Sequence, residues 1–231
     1  MYRKSVNTNW YKEAKEESLY DQIRRNGPHG PSDPSGKKFD DMSEDERAYM
    51  QRHMREWYRR DNFISQYGFS TPTEEAVDRL VKFIDGDGVL EIGAGYGLWA
   101  KLLQDKGVNV TAVDSHDKAW TDRTGDEIGA YDPRNQTYTD IKIMDHMNAL
   151  SAYGHFNVLM MVWPDYQSLM ATEATQKFKG SKMIYIGEGY SGCTGSDCFH
   201  EELNKWEEVE RIDIPQWEGI HDSLYLYTRT G

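Results

Sequence analysis

"VLEIGAGYGLWA", Val89 to Ala100, sets three glycines directly behind a short apolar and acidic run. Gly93, Gly95 and Gly97 alternate with single residues and lead into Leu98, Trp99 and Ala100. Two needs bring glycines to such a place: a tight turn from strand to helix, or the close approach of something to the backbone. A dinucleotide-binding turn would want its third glycine three residues after the second, where this chain has Leu98. The spacing is Gly-x-Gly-x-Gly instead, with Glu91 two residues ahead of it.

Outward from this stretch the chain alternates between strand and helix signals. Thr71-Pro72-Thr73-Glu74 combines an N-cap, a proline at the first helical position and a capping Glu, so a helix is expected there. Its buried stripe is Ala76, Val77, Leu80, Val81 and Ile84. Val89–Ile92 reads as a first strand, followed by a helix through Leu98–Lys106. Asn109–Val113, ended by Asp114, and Ile141–Met144, ended by Asp145, read as the next two strands. "FNVLMMVW" (156–163) is a continuous apolar run, as in a parallel strand buried on both faces. Met183–Ile186, Val209–Ile214 and "SLYLYTR" (223–229) complete the set, the last two joined through a tight connection at Glu218-Gly219. The pattern predicts an α/β fold: a doubly wound, seven-stranded, mostly parallel sheet with an antiparallel C-terminal hairpin strand.

Residues 1–60 read as an N-terminal helical extension with a Pro/Gly linker, and residues 61–231 as the main domain. Trp10–Arg25 is a weakly amphipathic helix with Tyr11, Ala14, Leu19, Tyr20 and Ile23 as its apolar positions, and Gly27–Lys38 is the linker. A second helix begins at Ser43, which has capping-box spacing to Glu46. Tyr49, Met50, Met54, Trp57 and Tyr58 lie on one face and Arg52, Arg55 and Arg59 on the other, so the aromatic face is expected to dock on the main domain or to cover its site.

Charge is divided unevenly. Residues 1–60 carry 13 Lys and Arg against 11 Asp and Glu, residues 61–231 carry 14 against 28, and the whole chain is −12. An acidic main domain disfavours nucleic acid, whose affinity comes largely from phosphate neutralisation. Two cysteines are too few for a disulfide scaffold, and no window approaches the ~20 apolar residues of a membrane helix, so a cytoplasmic, non-membrane protein is expected. Cys193, Cys198 and His200 on one short segment lack a fourth ligand at recognisable spacing, so no metal site is expected. Helix capping by Asp197 accounts for that loop instead.

The strand-end acids give the glycine run its meaning. Asp114, after the second strand, suits a ribose diol, because a carboxylate accepts from both hydroxyls. Asp145, after the third, suits an exocyclic amine. A pyrophosphate would be repelled by this acidic set, whereas a cationic sulfonium carrying an amine, a ribose and an adenine would not. "VLEIGAGYG" resembles motif I of the class I S-adenosylmethionine-dependent methyltransferases, "VTAVDSH" resembles their strand-2 segment, and "IKIMDHMNAL" their third motif, over roughly residues 67 to 231. The resemblance implies a Rossmann-like fold and S-adenosyl-L-methionine as cofactor. It places Glu91, Gly93, Ala94, Gly95 and Gly97 along the cofactor's methionine and sugar, Asp114 and Ser115 at the ribose, and Asp145 at the adenine amine.

The methyl acceptor is expected beyond the carboxyl end of the fourth strand. Trp163-Pro164-Asp165-Tyr166 stands there and resembles the Asn/Asp-Pro-Pro-Tyr motif of amino-methylating enzymes. "YGFSTP" (67–72) resembles the Gly-x-x-Thr-Pro element of some of them. Trp163 replaces the amide or carboxylate of that motif, and Asp165 its second proline. Asp165, Tyr166 and His221 are the candidate catalytic residues, with His221 beside Asp222 as a general base; Trp163, Pro164 and Glu188 are the candidate substrate contacts. The reading is a methyltransferase acting on a small-molecule or macromolecular acceptor, an amine or a planar aromatic group. Two alternatives stand beside it: an adenine-N6 DNA or RNA methyltransferase with a modified motif, and a catalytically inactive methyltransferase-like binding or regulatory protein.

Overall fold

The computed structural model describes residues 18–26, 43–115 and 136–229. The expected linker Gly27–Lys38, and the expected helix before residue 18, lie outside the described residues. In chain order the elements are α1 (Leu19–Asn26), α2 (Glu44–Tyr67), α3 (Glu74–Ile84), β1 (Val89–Ile92), α4 (Leu98–Asp105), β2 (Val110–Asp114), β3 (Ile141–Ile143), α5 (His146–Tyr153), β4 (Val158–Val162), α6 (Met170–Lys177), β5 (Lys182–Gly187), α7 (Asp197–Leu203), β6 (Trp206–Asp213) and β7 (Ser223–Arg229).

Seven strands form one sheet in the order β3-β2-β1-β4-β5-β7-β6. The first five pair in parallel, and β7 runs antiparallel between β5 and β6. The order reverses between β2-β1 and β4, so the carboxyl ends of β1 and β4 face an open crevice, where such sheets bind ligands. β4 shows why its sequence does not alternate in polarity: Val158 and Met160 enter one core while Leu159 and Met161 enter the other. One core packs α1, the end of α2, α3 and α4 on one face of the sheet. The second packs α5, α6 and α7 on the other.

Two helix starts differ from the sequence reading by a residue or two. Thr73, not Thr71, caps α3, its side chain accepting from the Ala76 amide at 3.1 Å, so Pro72 lies ahead of the helix. Ser196, not Asp197, caps α7, accepting from the Phe199 amide, and Asp197 is the first helical residue. In each case a neighbouring hydroxyl has the extended backbone that an N-cap requires.

The N-terminal extension docks differently from expectation. α2 runs unbroken through residue 60, so the boundary drawn between 60 and 61 falls inside one helix. Phe63, Ile64 and Tyr67 in its last turns are buried, and Phe63 packs edge-on against Trp217 at 5.4 Å. Trp57 and Tyr58, expected to face the domain, are 49% and 60% exposed.

Gly97 carries a packing constraint as well as a turn. It caps α4 with φ 71°, and a Cβ there would stand 2.7 Å from Ile141 Cδ1 and 2.9 Å from Thr139 Cγ2. Gly97→Ala is therefore expected to destabilise by roughly 1–3 kcal/mol, read as a lower denaturant midpoint with unchanged slope. A neutral result would show that the segment before β3 yields freely.

Candidate functional site

The glycine turn is built by hydrogen bonds from β2. The Gly93 and Ala94 amides both donate to the Val113 carbonyl, at 2.9 and 3.0 Å, and the Gly97 amide donates to Ala94 at 2.7 Å. The Gly95 amide donates to Asp114 Oδ2 at 2.8 Å. Gly93, Gly95 and Gly97 all have left-handed backbones, with φ of 74°, 54° and 71°. The tight turn and the close approach are thus one feature: the turn lays Gly93 bare against the cavity that opens beyond it.

That cavity has a volume of about 380 Å³, within the ~300–1,000 Å³ typical of small-molecule sites. Gly93, Asp114, Ser115 and Asp145 line it, together with His146 and Met170, which the sequence reading did not single out. Asp145 caps α5, accepting from the Asn148 amide at 2.8 Å and from its side chain at 2.7 Å. Those bonds, the amide first, hold its carboxyl below the usual range, so it stays an acceptor. His146 Nε2 meets Glu173 Oε2 at 2.7 Å on the same rim.

Glu91 lies on the other side of Gly93. It is buried in the middle of the sheet and lines a second, smaller space of about 40 Å³ with Phe69, Gly93, Ala94 and Trp163. Its Oε2 is buried and has no hydrogen-bond partner. Burial raises its pKa to about 8, opposed by the Ala100 amide and reinforced by Asp114.

The exit of β4 centres on Trp163, which follows the strand with φ 50°. Its ring stacks on Phe69 at 5.3 Å, Arg60 lies over it at 5.6 Å, and its Nε1 donates to Asp222 Oδ2 at 3.2 Å. Asp222 is buried, its Oδ1 has no partner, and burial raises its pKa to about 6 despite the Trp163 bond. Glu188 braces two loops: Oε2 accepts from the Cys193 amide and Oε1 from the His221 amide, each at 2.7 Å. Burial would raise its pKa, but the Cys193 thiol and these amides outweigh that and hold it low.

The structure thus joins Trp163 to Asp222, and Glu188 to the backbone of His221, at one end of the sheet. The His221 and Tyr166 side chains are exposed. Pro164 is buried and its carbonyl accepts from the Gly195 amide at 2.8 Å, while Asp165 bridges to Thr194. None of Pro164, Asp165, Tyr166, Glu188 and His221 lines either space. Arg60 and Phe69 were not singled out individually. Phe69 stood in the quoted "YGFSTP", but Arg60 is 103 positions from Trp163 and no local pattern marks it. His200, buried, bonds the Thr194 carbonyl through Nε2 at 2.9 Å.

No family model matches the sequence, and no curated protein is similar to it in sequence. Among solved structures it is similar to TehB from Haemophilus influenzae, at 14% identity over 74% of this chain and 67% of that one, with a TM-score of 0.46. A Burkholderia thailandensis 1,6-didemethyltoxoflavin-N1-methyltransferase, solved with bound 1,6-didemethyltoxoflavin and S-adenosylhomocysteine, is similar at 15% identity over 78% of this chain and 90% of that one, TM-score 0.47. The bifunctional kinase-methyltransferase WbdD is similar at 13% identity, TM-score 0.45, over 67% of this chain but only 39% of its own length. The strand order, rather than these likenesses, carries the fold. The fold is a Rossmann-like, doubly wound sheet with an antiparallel β7. Among the described residues no helix is long and apolar enough to cross a membrane.

Proposed function

We propose that this chain is an S-adenosylmethionine-dependent methyltransferase. The observation that carries the reading is the 380 Å³ cavity, bounded by the bare Gly93 backbone and by carboxylates at the ends of β2 and just past β3. Asp114 and Ser115 would hold the ribose, Asp145 the adenine amine, and Glu91, with its orphaned buried oxygen, the cationic methionine end. When bound, the cofactor supplies an electrophilic methyl group on a sulfonium. The protein's part is then to align the acceptor beside Gly93 and to take up a proton if the acceptor sheds one. Asp165 and His221, around the β4 exit and the β6–β7 connection, are the candidates for that proton, and Trp163 and Tyr166 offer aromatic walls.

Calorimetry with S-adenosylmethionine and S-adenosylhomocysteine tests the cofactor; a folded sample that binds neither would sink the reading. Incubation with methyl-labelled cofactor and separate nucleic-acid, protein and metabolite fractions tests catalysis. Label is expected in the protein or metabolite fraction, because the −14 of the main domain disfavours a polyanion. Cofactor binding with no transfer to any fraction would favour the non-catalytic alternative, which Trp163 at a usually polar position supports.

A further inference from the structure

We infer that this chain pairs with a second copy of itself, the projecting first turns of α2 from each copy seating on the apolar rim of the other's glycine-turn cavity. The pairing concerns surfaces alone and stands apart from the methyltransferase reading. Among the described residues eight large apolar side chains are exposed, and five of them fall into two groups. Trp57 and Tyr58 form the first, on α2. Ile143, Met147 and Leu169, 58%, 45% and 57% exposed, form the second. The second group is one patch. His146 Nε2 meets Glu173 Oε2 at 2.7 Å, Met147 follows His146, and the Glu173 amide donates to the Leu169 carbonyl one turn back. Leu169 and Met144 line the cavity, so the patch forms its rim. Single exposed apolar residues are ordinary, whereas a patch with a polar border marks a surface that binds.

The two surfaces are complementary in charge. Residues 47–60 of α2 carry five Arg against Glu56 alone. The segments that carry the rim, 140–147 and 165–173, hold Asp140, Asp145, Asp165 and Glu173 against Lys142. Trp, Tyr and Arg are also the residues that most often carry protein–protein binding energy. A polyanion would suit the arginines but not the apolar rings, and the −14 of the main domain repels it. The edge strand β6 is a poorer seat, with Val209 its one exposed large apolar side chain beside Glu207 and Glu208. Direction decides for a second copy. The Tyr138 hydroxyl, ahead of β3, donates to the Gln66 carbonyl at 3.0 Å, whereas Phe63 meets Trp217 and Arg60 meets Trp163 on the side of β4 and β7. β3 and β7 lie on opposite sides of β1 in the sheet, so α2, followed back from Gln66, leads away from its own rim. Glu44 to Tyr58, ~21 Å of continuous helix, cannot fold back onto that rim, but it can reach another copy's. A two-fold arrangement seats both helices at once, each covering the mouth of the other chain's cavity.

Sedimentation equilibrium of the full chain without cofactor is the test, with Trp57→Glu and Met147→Lys altering one surface each. Both side chains are exposed, so both variants should melt near the unmodified protein. The unmodified chain is expected to dimerise, less tightly as salt rises from ~0.05 to ~0.5 M and screens the charges. Each variant should weaken dimerisation by roughly tenfold or more, because each replaces an apolar anchor with a charge like that of the surface it faces. Their 1:1 mixture is the deciding measurement. One variant keeps a sound rim and the other a sound helix, so one of the two contacts survives in the mixed pair and none in either variant alone. The mixture should therefore associate about fivefold or more tighter than either variant. An unmodified chain still monomeric at ~100 μM, or a mixture no tighter than its components, overturns the inference. If either variant fails to fold, Tyr58→Glu and Ile143→Lys repeat the mixing experiment, and the same equality overturns it. Neither result touches the methyltransferase reading, which falls only to absent cofactor binding.

Discussion

Asp114→Ala is expected to weaken S-adenosylhomocysteine binding by about 5- to 150-fold, the ~1–3 kcal/mol of a buried polar group left unpaired. The residue acts at two places. It faces the cavity where a ribose would lie, and it accepts the Gly95 amide at 2.8 Å. Removing it therefore takes away an acceptor for the diol and loosens the turn that presents Gly93. Asp114→Asn separates the two effects, since its amide oxygen can still take the Gly95 hydrogen while the charge is gone. An intermediate affinity for Asn, with both variants melting near the unmodified protein, is the expected pattern. Affinity within twofold for Asp114→Ala would remove Asp114 from the site.

Glu91→Gln is expected to stabilise the protein at alkaline pH. Glu91 titrates near its ordinary value when unfolded and at about 8 when folded, because burial penalises its charge. A carboxyl whose pKa is raised by folding favours the native state fully at low pH, and that contribution is lost as pH rises through the folded value. Stability should therefore decline between roughly pH 4.5 and 8, and Gln, neutral throughout, should not follow that decline. The difference is on the order of 2–5 kcal/mol, or roughly 5–15 °C in melting temperature, at pH 9, and close to zero at pH 5. Asp222, raised to about 6, adds a smaller decline of the same sign to both proteins, so comparing the two isolates Glu91. The same residue is expected to couple cofactor binding to protons. A cation bound beside Glu91 favours its ionised form, so binding near pH 7 should release protons, seen as a calorimetric enthalpy that varies with buffer ionisation. Glu91→Gln should abolish that variation; its persistence would assign the proton elsewhere.

The sequence by itself determined the sheet and the strand ends at which its acids stand. Val89–Ile92 and Ser223–Arg229 match their strands residue for residue, because each is a compact apolar run bounded by turn residues. The Gly-x-Gly-x-Gly turn and the acids Asp114 and Asp145 were legible for the same reason: each sits within a few residues of the strand end that positions it. The surroundings of Trp163 were not legible in this way. Glu188 looked like a substrate contact, yet both its oxygens are bonded to backbone amides of two loops, one of them 33 residues away. Asp222 was visible only as a neighbour of His221, and its burial against Trp163 depends on β7 inserting between β5 and β6. Arg60 reaches Trp163 only because α2 docks through Phe63, Ile64 and Tyr67 and thereby aims its preceding turn. Local patterns record which face of an element is apolar and where it ends. Whether a charge becomes buried, paired or orphaned is decided by elements far apart in the chain, and only the tertiary structure brings them together.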